Sequence, residues 1–219
     1  MFLYNNMNYL NKLVKSRITI IDMIELRGYN LDKYKNVSDK ELDIMDNNMG
    51  KKNIAEIMPL DMVSEHKDGN KKCLVKYIVG KLRGKVLKTL IDELLEYEKI
   101  KEGDDIIIIV KDKINNLDAF YILFDSIFKS SKLFVQLFSM DHLLVNIKNH
   151  VLVPELHIVS DKEKNDIKEQ YNVEIMSQFP LILKSDPMAK FYGVKNGDLC
   201  KIIRQSDTSG QYISYRYCE

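Results

Sequence analysis

The chain has 219 residues, 45% hydrophobic and 30% charged, with a formal net charge of only +1. Those values fit one or two soluble globular domains and exclude a polycation that gathers nucleic acid by counterion release over its whole surface. Its three cysteines, Cys73, Cys200 and Cys218, are far apart and form no C-x-x-C pair, which argues against a disulfide framework or a cysteine-rich zinc site and for a reducing compartment.

Met1 to Leu10 has no basic leading region and no small-residue cleavage site, so no signal peptide is expected. From about Tyr9 to Leu26, Leu10, Leu13, Val14, Ile18, Ile21 and Ile24 recur every three or four residues, which predicts a helix with one apolar face, and Gly28 stands where a helix C-cap glycine would. Asn30 to Asn70 is mostly polar, with apolar patches at Leu42 to Met45 and Ile54 to Leu60. Ser38 and Glu41 have the spacing of a capping box for a short helix running to Met45. Cys73 to Val79 alternates loosely like a strand. Val86 to Tyr97 carries Val86, Leu87, Leu90, Ile91, Leu94 and Leu95 at helical spacing, and Gly103 follows it. Ile106 to Val110 is a β-branched run of the kind found in buried central strands, far short of the roughly twenty residues of a membrane span. Asp118 to Phe124 is expected to be the strand beside it. Strands alternating with helices predict an α/β first domain over residues 1–145.

Beyond about Leu143 the elements shorten. Leu143 to Ile147 reads as a strand and Pro154 interrupts regular structure. Ser160 and Glu163 make a second capping box, for a helix reaching Tyr171. Asp186 before Pro187 is an N-cap followed by a proline at the first helical position, and Gly193 ends that helix. Asn196 and Gly197 form a turn, and Leu199 to Ile203 a strand. Asp207 to Gly210 turns again before a returning strand, Tyr212 to Tyr217. The second domain, residues 146–219, is thus expected to be a small α+β unit ending in a β-hairpin.

Catalytic candidates are few. Asp104 and Asp105 precede the Ile106 to Val110 strand and Lys111 follows it, residue types used by metal-dependent nucleases. Two-metal hydrolysis needs carboxylates converging on a site about 4 Å across, and adjacent extended residues point to opposite faces. His142, His150 and His157 are spaced by eight and seven residues, matching no short metal-ligand motif. Gly193 and Gly197 lack the Lys-Ser or Lys-Thr of a phosphate loop. No catalytic residue, metal site or cofactor is expected.

Four tail segments carry a resemblance: HVLVPELH from His150 to His157, LKSDPMAKFYG from Leu183 to Gly193, NGDLCKIIR from Asn196 to Arg204, and SDTSGQYISYR from Ser206 to Arg216. In this order they resemble the C-terminal domain of the small subunit shared by eukaryotic nuclear RNA polymerases I, II and III, a family with archaeal members. The first helix with Arg27, Gly28 and Tyr29, and the stretch from Phe138 to Ile147, are similar to the eukaryotic form, whereas Tyr34 to Lys101 departs most. Archaeal forms consist of the C-terminal domain alone, so an added N-terminal domain points to a eukaryote or a large DNA virus. The location would accordingly be the nucleus, or a cytoplasmic viral factory or virion.

The resemblance implies a transcription subunit without catalytic chemistry. Its C-terminal domain would pack on the largest polymerase subunit, and its N-terminal domain, nuclease-like and jaw-forming, would lie near downstream double-stranded DNA. The resemblance implies that eukaryotic members approach DNA through a short Thr-Pro turn after a central strand; the corresponding stretch here, Phe124 to Lys132, has no proline. Lys129, Ser130, Ser131 and Lys132 are the candidate donors to phosphate oxygens, or else part of a solvated loop. The candidate subunit interface comprises His150, Pro154, His157, Tyr212, Tyr215 and Tyr217, with Lys201, Arg204 and Arg216 as a polar rim. Tyr215 and Tyr217 should share one strand face and Tyr212 the other. Two other readings stay open: a stand-alone DNA-processing enzyme using the first domain, and a free module that borrows the tail to bind polymerase.

Overall fold

A computed structural model describes residues 8–48, 55–78, 80, 82–111, 117–206 and 210–219. The chain forms two units, Met1–Val145 and Asn146–Glu219. Among the described residues no helix is long and apolar enough to cross a membrane.

The first unit opens with helix α1, Tyr9–Leu26, followed by α2, Asp32–Lys35, and α3, Asp39–Asn47. The buried stripe of α1 runs through Leu13, Arg17, Ile20, Ile21 and Ile24, a three-to-four spacing that faces the core. Ile18, expected on that face, is 55% exposed, because the stripe includes Ser16 and Arg17, which hydrophobicity alone does not mark. Gly28 takes φ +91°, and a Cβ there would sit 2.7 Å from His66 Nε2; both conditions call for glycine. Ser38 caps α3 reciprocally with Glu41, satisfying backbone N–H groups that the first helical turn leaves open.

Next come β1, Met62–Glu65; β2, Lys72–Ile78; α4, Gly84–Glu96; β3, Asp105–Val110; α5, Leu117–Ser131; and β4, Phe134–Ser139. The sheet order is β1-β2-β3-β4. β2, β3 and β4 are parallel, with Ile107 level with Val75 and Gln136, while β1 joins the edge antiparallel. Parallel neighbours need crossover connections, and α4 and α5 supply them. Leu87, Leu90, Ile91 and Leu94 of α4 and Phe120, Phe124 and Ile127 of α5 bury into one cluster with Ile106, Ile108 and Val110, each contributing roughly 1.5–3 kcal/mol when fully buried. Tyr29, just past α1, reaches Asp105, and Arg17 lies beside Tyr77, so α1 covers the opposite face.

Two expected strands are corrected. Asp118 to Phe124 lies inside α5; Phe120, Phe124 and Ile127 are spaced by four and three, a helical period that emerges only when the window extends past Phe124. The strand beside β3 is β4, whose Val135, Leu137 and Phe138 are buried. Leu143 to Ile147 is not a strand either. It falls between the 3-10 turns Met140–Leu143 and Ile147–Asn149, where the Asn146 side chain accepts from Lys148 N–H and diverts the backbone from extended pairing. Ile54 and Val79, the ends of two expected segments, lie outside the described residues.

The second unit contains β5, Glu155–Ile158; α6, Asp161–Gln170; β6, Leu181–Ile182; α7, Pro187–Tyr192; β7, Leu199–Ser206; and β8, Gly210–Cys218. Its sheet order is β5-β7-β8-β6. β7 and β8 form the terminal hairpin; residues 207–209 of its turn lie outside the described residues. Each sheet face has its own small core. Leu156, Ile182, Cys200, Ile202 and Cys218 pack with Ala189 of α7. Leu199 packs with Val159, Phe179 and Ile167 of α6, flanked by Tyr215 and Tyr217. Capping fixes both helices: Ser160 pairs reciprocally with Glu163, and Asp186 accepts from Met188 and Ala189 N–H before Gly193 closes α7 at φ +72°.

Candidate subunit interface

Strand alternation sorts the candidate residues into two groups. Across β5, β7 and β8 the register aligns His157 with Lys201 and Lys201 with Tyr215, all on the α6 face. Arg204, level with Tyr212, and Arg216, level with Cys200, lie on the α7 face. The expected rim of Lys201, Arg204 and Arg216 is therefore not one rim, because side chains an odd number of residues apart on β7 point in opposite directions.

On the α6 face, Tyr215 stands edge-on to Tyr171 at 5.5 Å and to Phe179 at 6.3 Å between ring centroids. Such edge-to-face pairs add about 0.5–1.5 kcal/mol beyond burial, so Tyr215 serves this unit's own core, with Tyr217 beside it. His157 is exposed, 3.7 Å from the Glu155 carboxylate. His150 holds a turn: its Nδ1 accepts from Leu152 N–H at 3.2 Å and its carbonyl from Val153 N–H at 2.9 Å. That turn presents Val151 at 97% exposure and Leu152 at 84%, two apolar side chains that residue-type scanning for polar or aromatic contacts passes over.

The α7 face carries a cleft of about 200 Å3 with Pro154, Leu156, Ile182, Met188 and Ile202 as its apolar lining and Arg204, Arg216 and Asp186 as its polar groups. The Asp186 carboxylate caps α7, accepting at 2.8 and 3.1 Å. Arg216 donates to the Leu181 carbonyl at 3.2 Å, which fixes its guanidinium at the cleft edge. Burial pushes the Cys200 thiol up to about 12 and the Cys218 thiol up to about 11, leaving both protonated and unreactive at neutral pH.

Residues 145–218 match the family model described as the RNA polymerase Rpb5 C-terminal domain. The match spans the C-terminal unit from its first residue to Cys218. Over 212 residues the chain is 28% identical to the Dictyostelium discoideum protein named DNA-directed RNA polymerases I, II, and III subunit rpabc1, covering 97% of this chain and 100% of that relative. A Caenorhabditis briggsae protein, DNA-directed RNA polymerases I, II, and III subunit RPABC1, is 43% identical over 74 residues, 34% of this chain and 35% of the relative. Both relatives carry the name of a subunit shared by RNA polymerases I, II and III.

The acidic candidates of the first unit are occupied structurally. Asp104 accepts from Lys72 N–H at 2.8 Å and Lys101 N–H at 2.7 Å, while Asp105 accepts from the Tyr29 hydroxyl at 2.8 Å. Lys111 lies over the Tyr9 ring at 3.6 Å. Among the described residues no group of three His, Cys, Asp or Glu side chains could hold a metal ion.

The Phe124 to Lys132 stretch is not a loop but the last turns of α5 with Lys132 at φ +57°. The Ser130 and Ser131 hydroxyls both donate to the Ile127 carbonyl, at 3.0 and 2.9 Å, and Ser131 is buried. Lys129 and Lys132 remain exposed, at the helix end whose carbonyls carry the negative pole of the dipole.

One polar feature of this unit carries no signal in the sequence. Lys76, in the middle of β2, is 1% exposed and its Nζ lies 2.7 Å from Asp61 Oδ2, whose side chain is fully buried. Nζ also donates to the Glu56 carbonyl at 2.6 Å, and Asp61 accepts from Met58 and Tyr77 N–H at 2.8 and 2.9 Å.

Proposed function

We propose that this chain is a non-catalytic structural subunit of a multisubunit DNA-dependent RNA polymerase, with residues 146–219 docking on the largest subunit and residues 1–145 forming a jaw-like domain near downstream DNA. The observation that carries the reading is the match of the C-terminal unit to the Rpb5 C-terminal domain family, joined to similarity along the full length of a shared polymerase subunit. The engagement of Asp104 and Asp105 in backbone and tyrosine hydrogen bonds fits a scaffold and gives the DNA-processing alternative no support. Any DNA contact by Lys129 and Lys132 is weak and local, a phosphate attraction that positions without reading sequence. A cellular host places the subunit in the nucleus, and a large DNA virus in its cytoplasmic factory or virion.

The test is purification of the tagged chain from its native source at moderately high salt, with quantification of co-purifying proteins. Stoichiometric recovery with the two largest polymerase subunits is expected; recovery of the chain alone, from cells containing the polymerase, overturns the reading.

A further inference from the structure

Resting on the subunit reading, we infer that the cleft on the α7 face receives a short acidic segment of another polymerase subunit, with one large aliphatic or aromatic side chain in the cleft and flanking carboxylates on Arg204 and Arg216. The apolar lining of Leu156, Ile182, Met188 and Ile202 gains from covering by another apolar group. At about 200 Å3 the cleft is smaller than the roughly 300–1,000 Å3 usual for small-molecule sites, so a side chain fits it better than a nucleotide or cofactor.

Charge decides the partner's chemistry. Among the described residues neither Arg204 nor Arg216 pairs with a carboxylate; Arg216 donates to a carbonyl, and the cleft's single carboxylate, Asp186, caps α7 through Oδ1 and leaves two guanidinium charges against one carboxylate. Two guanidinium groups beside an apolar floor favour a segment that brings carboxylates in bidentate reach and disfavour a basic one. Leu183, next in the chain to the cleft-lining Ile182, and Val151 and Leu152, shortly before the cleft-lining Pro154, are exposed apolar side chains. A few side chains in well-packed, desolvated pockets, with arginine among the enriched types, carry most of the energy of protein interfaces.

The experiment uses the full-length tagged chain in its native host. Arg204→Glu/Arg216→Glu is compared with Lys162→Glu, which reverses an exposed charge on α6, and circular dichroism verifies that each variant is folded. Recovery of the two largest polymerase subunits is expected to fall by roughly tenfold or more for the arginine pair and to stay unchanged for Lys162→Glu. Equal recovery for all three, with wild type stoichiometric, overturns the cleft assignment and leaves the subunit reading intact; failure of wild type itself to recover polymerase overturns both. A second probe covers a misfolded variant: p-benzoylphenylalanine in place of Tyr212, level with Arg204, followed by sequencing of the cross-linked peptide. An acidic peptide containing a large apolar residue is expected, and a basic or carboxylate-free peptide overturns the inference.

Discussion

Removing the Asp61 carboxylate isolates a charge in the core of the first unit. In Asp61→Ala the Lys76 ammonium loses its partner at 2.7 Å and, among the described residues, keeps the Glu56 carbonyl, while Met58 and Tyr77 N–H lose their acceptor. Breaking a buried pair from one side costs about 3–5 kcal/mol, a large share of the roughly 5–15 kcal/mol that holds a domain folded. For a domain near 150 residues, each kcal/mol shifts Tm by about 2–4 °C, so a fall of roughly 6–20 °C is expected. Lys76→Met should cost less, because Asp61 retains two backbone donors, and Asp61→Asn combined with Lys76→Met should recover part of the loss. The chain has no tryptophan, so far-ultraviolet circular dichroism should follow the melt, with hydrogen-exchange protection of β2 and β3 separating the first unit from the second. A loss under about 1 kcal/mol for Asp61→Ala, or a double variant worse than both singles, would show that the pair does not stabilise this core.

Gly28→Ala should destabilise the first unit by about 1–3 kcal/mol, since alanine must hold a φ of +91° with its Cβ against His66; an unchanged denaturant midpoint refutes this. Burial lowers the Lys190 amine to about 8 from its ordinary 10.5, so between those values the unfolded chain holds a proton that the folded chain has shed. Stability therefore rises with pH across that window. Lys190→Met should exceed wild type in stability at pH 7, with the difference shrinking towards pH 10; a pH-independent difference sinks the assignment. All three cysteines are buried and outside any disulfide, so a thiol reagent at pH 7.5 should label none rapidly in the native chain and all three in denaturant. Rapid native labelling refutes their burial.

Local signals in the sequence survive because they involve neighbours in the chain. Ser38 with Glu41, Ser160 with Glu163, and Asp186 before Pro187 each satisfy N–H groups two or three residues away, so spacing alone fixes the helix starts. The Asp118 to Phe124 misreading has the same origin in reverse. Within that window Phe120, Tyr121 and Ile122 favour extended structure, and the burial that selects a helix comes from α4 and β3.

Long-range partnerships are where sequence reasoning ends. Nothing in a strand-like KCLVKYI announces that Lys76 is buried, since its acceptors Asp61 and Glu56 are brought to it by the fold. Among the candidate interface residues, alternation on β8 separates Tyr212 from Tyr215 and Tyr217, as the pairing shows, and the same parity applied to β7 separates Lys201 from Arg204. The cleft itself required Ile182 from β6 and Met188 from α7 to meet Leu156 and Ile202 on the sheet. A tail that matches a family model along its length therefore still leaves the cleft to be found in three dimensions. The residues that give the strongest local signals, Asp186, Pro187 and Gly193, are those that set the helix against the sheet, while among the described residues the two arginines bordering the resulting cleft pair with no carboxylate, and Arg216 donates to the Leu181 carbonyl.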